Sequence, residues 1–211
     1  YGNDTPKGWE LFGSLSEKPE YGMRVQAGLL GGEAGISYHQ RRADPGDLSI
    51  LYREKSIREE RLGVDVRWDI GVGIWGEATL VKQTPGLAGV QYRRMLMAGT
   101  DYTFGLGNGL LMTAEHLDVQ VDDGALTRGY SLSAVSAHYP INLLDSVTGM
   151  VYYDWEKKNW YRFINLQRQY DRWEFYLMAF WNPDTFQIYS NLAEENLFAG
   201  RGLELMAVFN H

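Results

Sequence analysis

Arg61-Leu62-Gly63-Val64-Asp65-Val66-Arg67-Trp68-Asp69-Ile70 decides how this chain folds. Leu62, Val64, Val66, Trp68 and Ile70 interleave with Arg61, Gly63, Asp65, Arg67 and Asp69, so one side of the segment is oily and the other charged. Period two is the mark of a β-strand, whose successive side chains point to opposite faces. The pattern recurs where Tyr21, Met23, Val25, Ala27 and Leu29 alternate with Gly22, Arg24, Gln26 and Gly28, and again where Trp173, Phe175, Leu177, Ala179 and Trp181 alternate with Glu174 and Tyr176. Whether the oily face meets a protein core or lipid decides the function.

Working outward, the chain reads as about twelve strands, near the length a tilted strand needs to cross a bilayer. They cover residues 9–15, 21–30, 33–41, 61–69, 74–82, 92–104, 110–121, 130–139, 146–156, 160–170, 173–182 and 202–210. Tight connections at Gly31-Gly32, at 71–73, at 105–109 and at Asp171-Arg172 alternate with longer ones at 42–60, 83–91, 122–129 and 183–201, the short turn at Lys158-Asn159 being the exception. That rhythm is expected of an up-and-down barrel in an outer membrane, with tight turns on one rim and longer loops on the other. Under this count both termini fall on the short-turn rim. Pro6, Pro19, Pro45, Pro85, Pro140 and Pro183 are expected in loops or at strand ends, and 191–198 could hold one helical turn. No linker, repeat or low-complexity block divides the chain, so residues 1–211 read as a single domain.

Composition narrows the function classes. A net charge of −7 with no Lys/Arg cluster argues against nucleic acid as a partner. The absence of cysteine excludes disulfides, thiolate metal sites and cysteine nucleophiles. No run of about eighteen apolar residues is present, so no transmembrane helix is expected, a criterion blind to strands that show lipid only every second side chain. Seven Trp and fourteen Tyr are rich for 211 residues. Trp68, Trp75, Tyr102, Phe104, Tyr153, Trp155, Trp160, Tyr170, Trp173 and Trp181 fall at strand ends, as in girdles at two membrane interfaces. The chain starts at Tyr1 without Met or an apolar leader, which fits a mature, a trimmed or a partial sequence.

In hydrocarbon no backbone N–H or C=O can go unpaired, so a spanning sheet closes on itself. At about twelve strands the interior is too wide for a dry core, and the inward set should be polar. Arg24, Arg41, Arg61, Asp65, Arg67, Asp69, Glu77, Arg93 and Asp101 are the candidate pore-lining residues, with Gln26, Glu33 and His39 on the same faces. Projecting inward, they set opposite charges across a pore; the plainer reading is cross-strand ion pairs that stiffen the interior. A soluble sandwich or lipocalin-like cup would instead turn these charges outward.

Together these strands and connections resemble the porin-like outer-membrane β-barrel proteins of Gram-negative bacteria. The resemblance covers nearly the whole chain as a pattern, and its best local pieces run from Leu62 to Ala78 and from Gly99 to Leu110. Gly202-Leu203-Glu204-Leu205-Met206-Ala207-Val208-Phe209 looks like the C-terminal signal by which such barrels are recognised for assembly, and departs from it because Asn210 and His211 follow the aromatic residue. The resemblance implies an architecture, an all-β antiparallel transmembrane barrel in the bacterial outer membrane, and no particular solute.

Other motifs weigh less. Gly71-Val72-Gly73-Ile74-Trp75-Gly76 satisfies the dinucleotide-site string, but a strand follows it and no helix N-terminus is available for a pyrophosphate. Ser136 and His138 share a strand face and raise a hydrolase alternative. His116 and Asp118 could share a face as a weak metal pair, whereas Glu115 points the other way. The mixed run Arg53-Glu54-Lys55-Ser56-Ile57-Arg58-Glu59-Glu60-Arg61 reads as a loop that narrows the pore or moves freely, and the acidic loop residues Asp44, Asp47, Glu54, Glu59, Glu60, Asp122, Asp123, Asp184, Glu194 and Glu195 read as a solvated outer rim.

The expectation is therefore a passive channel for small polar or charged solutes, not an enzyme, with no cofactor and no metal. Its partners would be the lipid of the outer-membrane bilayer and the solutes themselves, with a homo-oligomer or a larger envelope complex also open. A non-conducting scaffold, an outer-membrane hydrolase and a soluble carrier are the alternatives.

Overall fold

The computed structural model of the chain describes residues 13–45, 56–87, 90–122, 127–184 and 198–210. Eleven antiparallel strands follow one another up and down in a single sheet whose hydrogen-bonded order is the sequence order, β1 to β11. They are β1 (Tyr21–Leu29), β2 (Gly32–Ala43), β3 (Ile57–Asp69), β4 (Gly73–Leu87), β5 (Val90–Phe104), β6 (Leu110–Asp122), β7 (Thr127–Pro140), β8 (Asp145–Asp154), β9 (Asn159–Gln169), β10 (Trp173–Trp181) and β11 (Arg201–Phe209). The order ends on β1 and β11 without a ladder joining them among the described residues. No described helix is long and apolar enough to cross a membrane.

Each strand expected from 21–30 onward is present, so the count is eleven where about twelve were expected. The difference lies at 9–15. Residues 9–12 are outside the described residues, and Gly13–Leu15 adds no new neighbour: Ser14 bridges Ala43, and Leu15 N donates to Arg42 O at 2.8 Å. Because Ala43 pairs with Ile57 of β3 on its other side, this segment continues the edge of β2 that β1 occupies.

Two strands run further than expected. β3 begins at Ile57, so Arg58, Glu59 and Glu60 are strand residues and not part of a loop. β4 reaches Leu87 and β5 starts at Val90, which puts Pro85 inside β4 and leaves only 88–89 between strands expected to be joined by a longer loop. The genuinely long connections are 44–56 and 182–200. The helical turn expected at 191–198 falls, but for Phe198, outside the described residues. The turn at 155–158 is tight, with Lys158 at φ 56 and the Asp154 carboxylate accepting from the backbone N–H of Glu156 and Lys157, both at 2.9 Å. At the β1–β2 hairpin Leu30 (φ 49) and Gly31 (φ 81) are both left-handed, the two-residue turn whose twist matches that of paired strands.

The chain divides into two compact units. The first comprises Tyr1–Ile70, Ile74–Ala98 and Leu117–Tyr130, and the second Gly71–Gly73, Gly99–His116 and Ser131–His211. In both, burial runs against the soluble pattern. The buried apolar side chains among the described residues are few, namely Ala43, Ile57, Val81, Val119, Tyr161 and Phe180, and they are matched by buried Ser14, Arg41, Glu59, Gln83 and Asp154.

Candidate functional site

Register fixes which side chains share a face in the first unit. Val25, Ile36 and Val64 lie abreast across β1, β2 and β3, as do Met23, Tyr38 and Leu62, and Ala27, Ala34 and Val66. This face is exposed: Met23 keeps 65% of its surface, and Val25, Ile36, Leu62 and Val64 are all open. An exposed apolar set of this extent is unlike the surface of a soluble monomer. Toward the 44–56 connection the same face turns polar, with Arg58 Nη2 donating to Glu60 Oε1 at 2.7 Å and Tyr38 Oη to the same oxygen at 3.0 Å.

The opposite face carries Arg24, Arg41, Arg61, Asp65 and Arg67 by register, and Asp69 by its alternation with Trp68 at the end of β3. Arg24 grips Asp65 with two parallel hydrogen bonds, Nη1 to Oδ1 at 2.6 Å and Nη2 to Oδ2 at 2.7 Å. Gly35 makes that fork possible, since a Cβ there would stand 2.6 Å from Arg24 Nη2 and 2.8 Å from Asp65 Oδ2. Gln26 Nε2 donates to Glu33 Oε2 at 2.9 Å, and Glu33 lies abreast of Arg67.

Nearer the 44–56 connection the face closes into a buried ion cluster. Glu59 Oε1 accepts from Arg41 Nε at 2.8 Å and from Arg61 Nε at 2.7 Å, with a further short contact from Arg61 Nη2. Glu59 Oε2 accepts from Gln83 Nε2 at 2.8 Å, and Arg41 Nη1 reaches Ser14 Oγ at 3.2 Å. Arg41 and Glu59 are each 2% exposed. A carboxylate at this depth is tolerable because both its oxygens are saturated by donors, two of them cationic. Beyond the strands, Glu20 accepts from or donates to His39 Nε2 at 3.1 Å depending on protonation. Burial pushes the Glu20 carboxyl up, but hydrogen bonds with Ser14 and His39 and the charges of His39 and Arg41 outweigh it, leaving the group below its ordinary value.

Glu77 alternates in β4 with the exposed Ala78 and Leu80, and Arg93 in β5 with the exposed Leu96 and Ala98, so both lie on the charged face of their strands. Asp101 falls in the second unit, beside Gly73, where any Cβ would press on its carboxylate at 2.5 Å. Trp75 has the same parity as Glu77, so it is not part of an interfacial girdle on the apolar face. The sequence reading missed Glu59, Gln83 and Ser14 as members of this face. Carrying the alternation of β3 back from Arg61 through Glu59 to Ile57 would have found the first.

The second unit repeats the exposed apolar face. Val147, Leu166, Leu177 and Leu205 lie abreast across β8 to β11, and Leu205 keeps 81% of its surface. Rings gather at both ends of this face: Tyr153 packs on Trp155 and Trp160 at 4.9 and 4.6 Å, and Trp173 on Phe209 at 4.9 Å. Trp173 and Trp181 bracket β10, about 26 Å apart along a strand rising about 3.3 Å per residue.

Its other face is of another kind. Register places His138, Thr148, Asn165, Met178 and Glu204 in one row across β7 to β11, and Ser136, Met150, Phe163, Phe180 and Gly202 in the next. Phe198, from the 182–200 connection, sets its ring edge-on against Phe163 and Phe180 at 5.9 and 5.5 Å. No Lys or Arg occupies this face of β8 to β11. Ser136 and His138 do share it, but the imidazole Nδ1 is bonded to Thr148 Oγ1 at 2.9 Å. His116 lies between Ser133 and Ser131, at 2.9 and 3.3 Å, and among the described residues no group of three or more His, Asp or Glu could hold a metal ion.

Comparison of the chain with protein-family models, with curated proteins and with solved structures found no match. The class defined here is thus the all-β antiparallel meander, compatible with a β-barrel, with an exposed apolar face backed by a polar one.

Proposed function

We propose that this chain forms a porin-like β-barrel in the outer membrane of a Gram-negative bacterium and conducts small polar or charged solutes by passive diffusion. One observation carries the reading: Met23, Val25, Val64, Leu203 and Leu205 are exposed while Arg41, Glu59 and Asp154 are buried. Water rewards the reverse arrangement, and hydrocarbon around a hydrated interior rewards this one. The partners are then the bilayer lipid on the apolar face and the solute on the polar face, with no catalytic step. Selectivity follows from pore radius and the inward charges Arg24, Asp65, Arg67, Asp69 and Asp101. An up-and-down ladder of eleven strands begins and ends on strands of like direction, so antiparallel closure in the bilayer requires one further strand or another odd number.

A non-conducting scaffold is the second reading, favoured by the buried Arg41–Glu59–Arg61–Gln83 cluster. Planar-bilayer recording of the purified full chain separates the two. Stepwise conductance supports the channel, silence supports the scaffold, and a protein that stays dispersed without detergent sinks both.

A further inference from the structure

We propose that the polar face of β7 to β10 binds a neutral, hydroxyl-bearing solute such as a small sugar or polyol; this rests on the channel reading only in needing a solute path to that face. Thr148 and Asn165 stand side by side in the ladder, with His138 completing the row. Asn165 Oδ1 is buried with no hydrogen-bond partner. A buried acceptor left without a donor is costly, and a hydroxyl delivered by a solute, with a small rotation of the amide, would satisfy it. Alongside runs the row of rings, with Phe163 edge-on to Tyr152 at 6.1 Å and to Phe198 at 5.9 Å.

Ring faces beside neutral donors and acceptors match a molecule that carries C–H faces and hydroxyls together. An ion fits less well. A carboxylate meets no cation on this face of β8 to β11, and Glu204 at the end of the row repels it. A cation finds Glu204 only at the end of the row, three strands away from Thr148. The sugar therefore gains hydrogen bonds and stacking without the desolvation cost of a charge.

Saturation-transfer NMR on the detergent-solubilised full chain tests this with glucose, sodium glutamate and lysine hydrochloride as separate probes, alongside bilayer recording in KCl. Transfer to glucose is expected to exceed that to either ion. It should weaken about threefold to tenfold in Asn165→Leu and in Thr148→Val, the effect of losing one hydrogen bond, and persist in Val135→Thr on the other face. Heat-shifted gel mobility identifies the variants that still fold. Conductance with no preference for glucose, or with glucose transfer unchanged in both variants, overturns the site and leaves the channel standing. Glucose transfer lost in the variants but no conductance upholds the site and overturns the channel.

Discussion

Glu59 in the first unit and Tyr161 in the second occupy matching slots: each is the third residue of its strand, β3 or β9, each faces the polar side, and each is buried. Their neighbours differ. β2 and β4 bring Arg41 and Gln83 against Glu59, whereas β8 places Tyr152 abreast of Tyr161. One backbone plan thus closes the same kind of position with ions in one unit and with rings in the other. Chemistry on the polar face is set by what the adjacent strands supply, because a charge survives burial only when its partners arrive from next door.

The sharpest way to break this comparison is to remove the two side chains' polar groups. Glu59→Ala strands Arg41 and Arg61 without their shared carboxylate and is expected to cost roughly 3–5 kcal/mol. Tyr161→Phe removes one hydroxyl from a ring-lined position and is expected to cost about 0.5–1.5 kcal/mol. Urea titration of the refolded protein in lipid vesicles measures both. Equal losses would mean that the two polar faces are held in the same way.

A second test asks whether the apolar faces are as alike as the polar faces are different. Val64→Arg in the first unit and Leu205→Arg in the second should each cost roughly 2–4 kcal/mol if both side chains lie deep in hydrocarbon. At an ordinary water-exposed position the same change stays within about 0.5 kcal/mol. The same vesicle titration reads the result. A cost in one unit only would confine the lipid contact to that unit.

How far the sequence could be read follows the same division. In β1, and in β3 from Arg61 onward, every apolar residue is on one face and every charge on the other, so strands, parity and the sharing of a face by Arg24, Asp65, Arg67 and Asp69 were all legible. β7 and β9 alternate poorly because Leu132, Ala134, Tyr161 and Phe163 sit on the polar face, which blurs the period although the strands are intact. Glu59 was hidden for a different reason. The run from Arg53 to Arg61 is so rich in charge that it reads as solvated loop, and only a neighbouring strand bearing Arg41 turns Glu59 into a buried strand residue. Pairing information of that sort is not written in any local window. Gly35 is similar: its need for a missing Cβ becomes visible only once the Arg24–Asp65 fork has been placed beside it.

Smaller effects probe whether the first unit's charges act on a solute. Arg67→Ala should raise the cation-to-anion permeability ratio and Asp69→Ala should lower it. A unit charge about 4 Å from an ion in water is worth about 1 kcal/mol, so the shift is bounded near fivefold at low salt. It should fade at 1 M, where the Debye length is about 3 Å. Reversal potentials in asymmetric KCl measure it. Shifts of the same sign in both variants would remove these side chains from the conduction path.

The smallest effect lies at Glu20, just outside β1, where the ionic habit of the first unit extends beyond its strands. Its carboxyl is held below the ordinary value of 4.5 in the folded chain. A depressed carboxylate contributes stability that is fully present above the unfolded value and is lost as pH falls through the folded one. The loss should therefore begin under pH 4.5 and follow protonation of the carboxylate facing Ser14 and His39. Because the group is largely solvated, the contribution belongs in the range of about 0.2–1 kcal/mol typical of exposed pairs. Glu20→Gln keeps the shape and removes the charge, so wild type and variant should differ by a constant amount near neutrality and converge only as pH falls through the lowered folded value. Thermal melts across that range decide it. A gap that survives into strong acid would assign the stabilisation to hydrogen-bond geometry around Ser14, and the ionic character of the first unit would then stop at its strands.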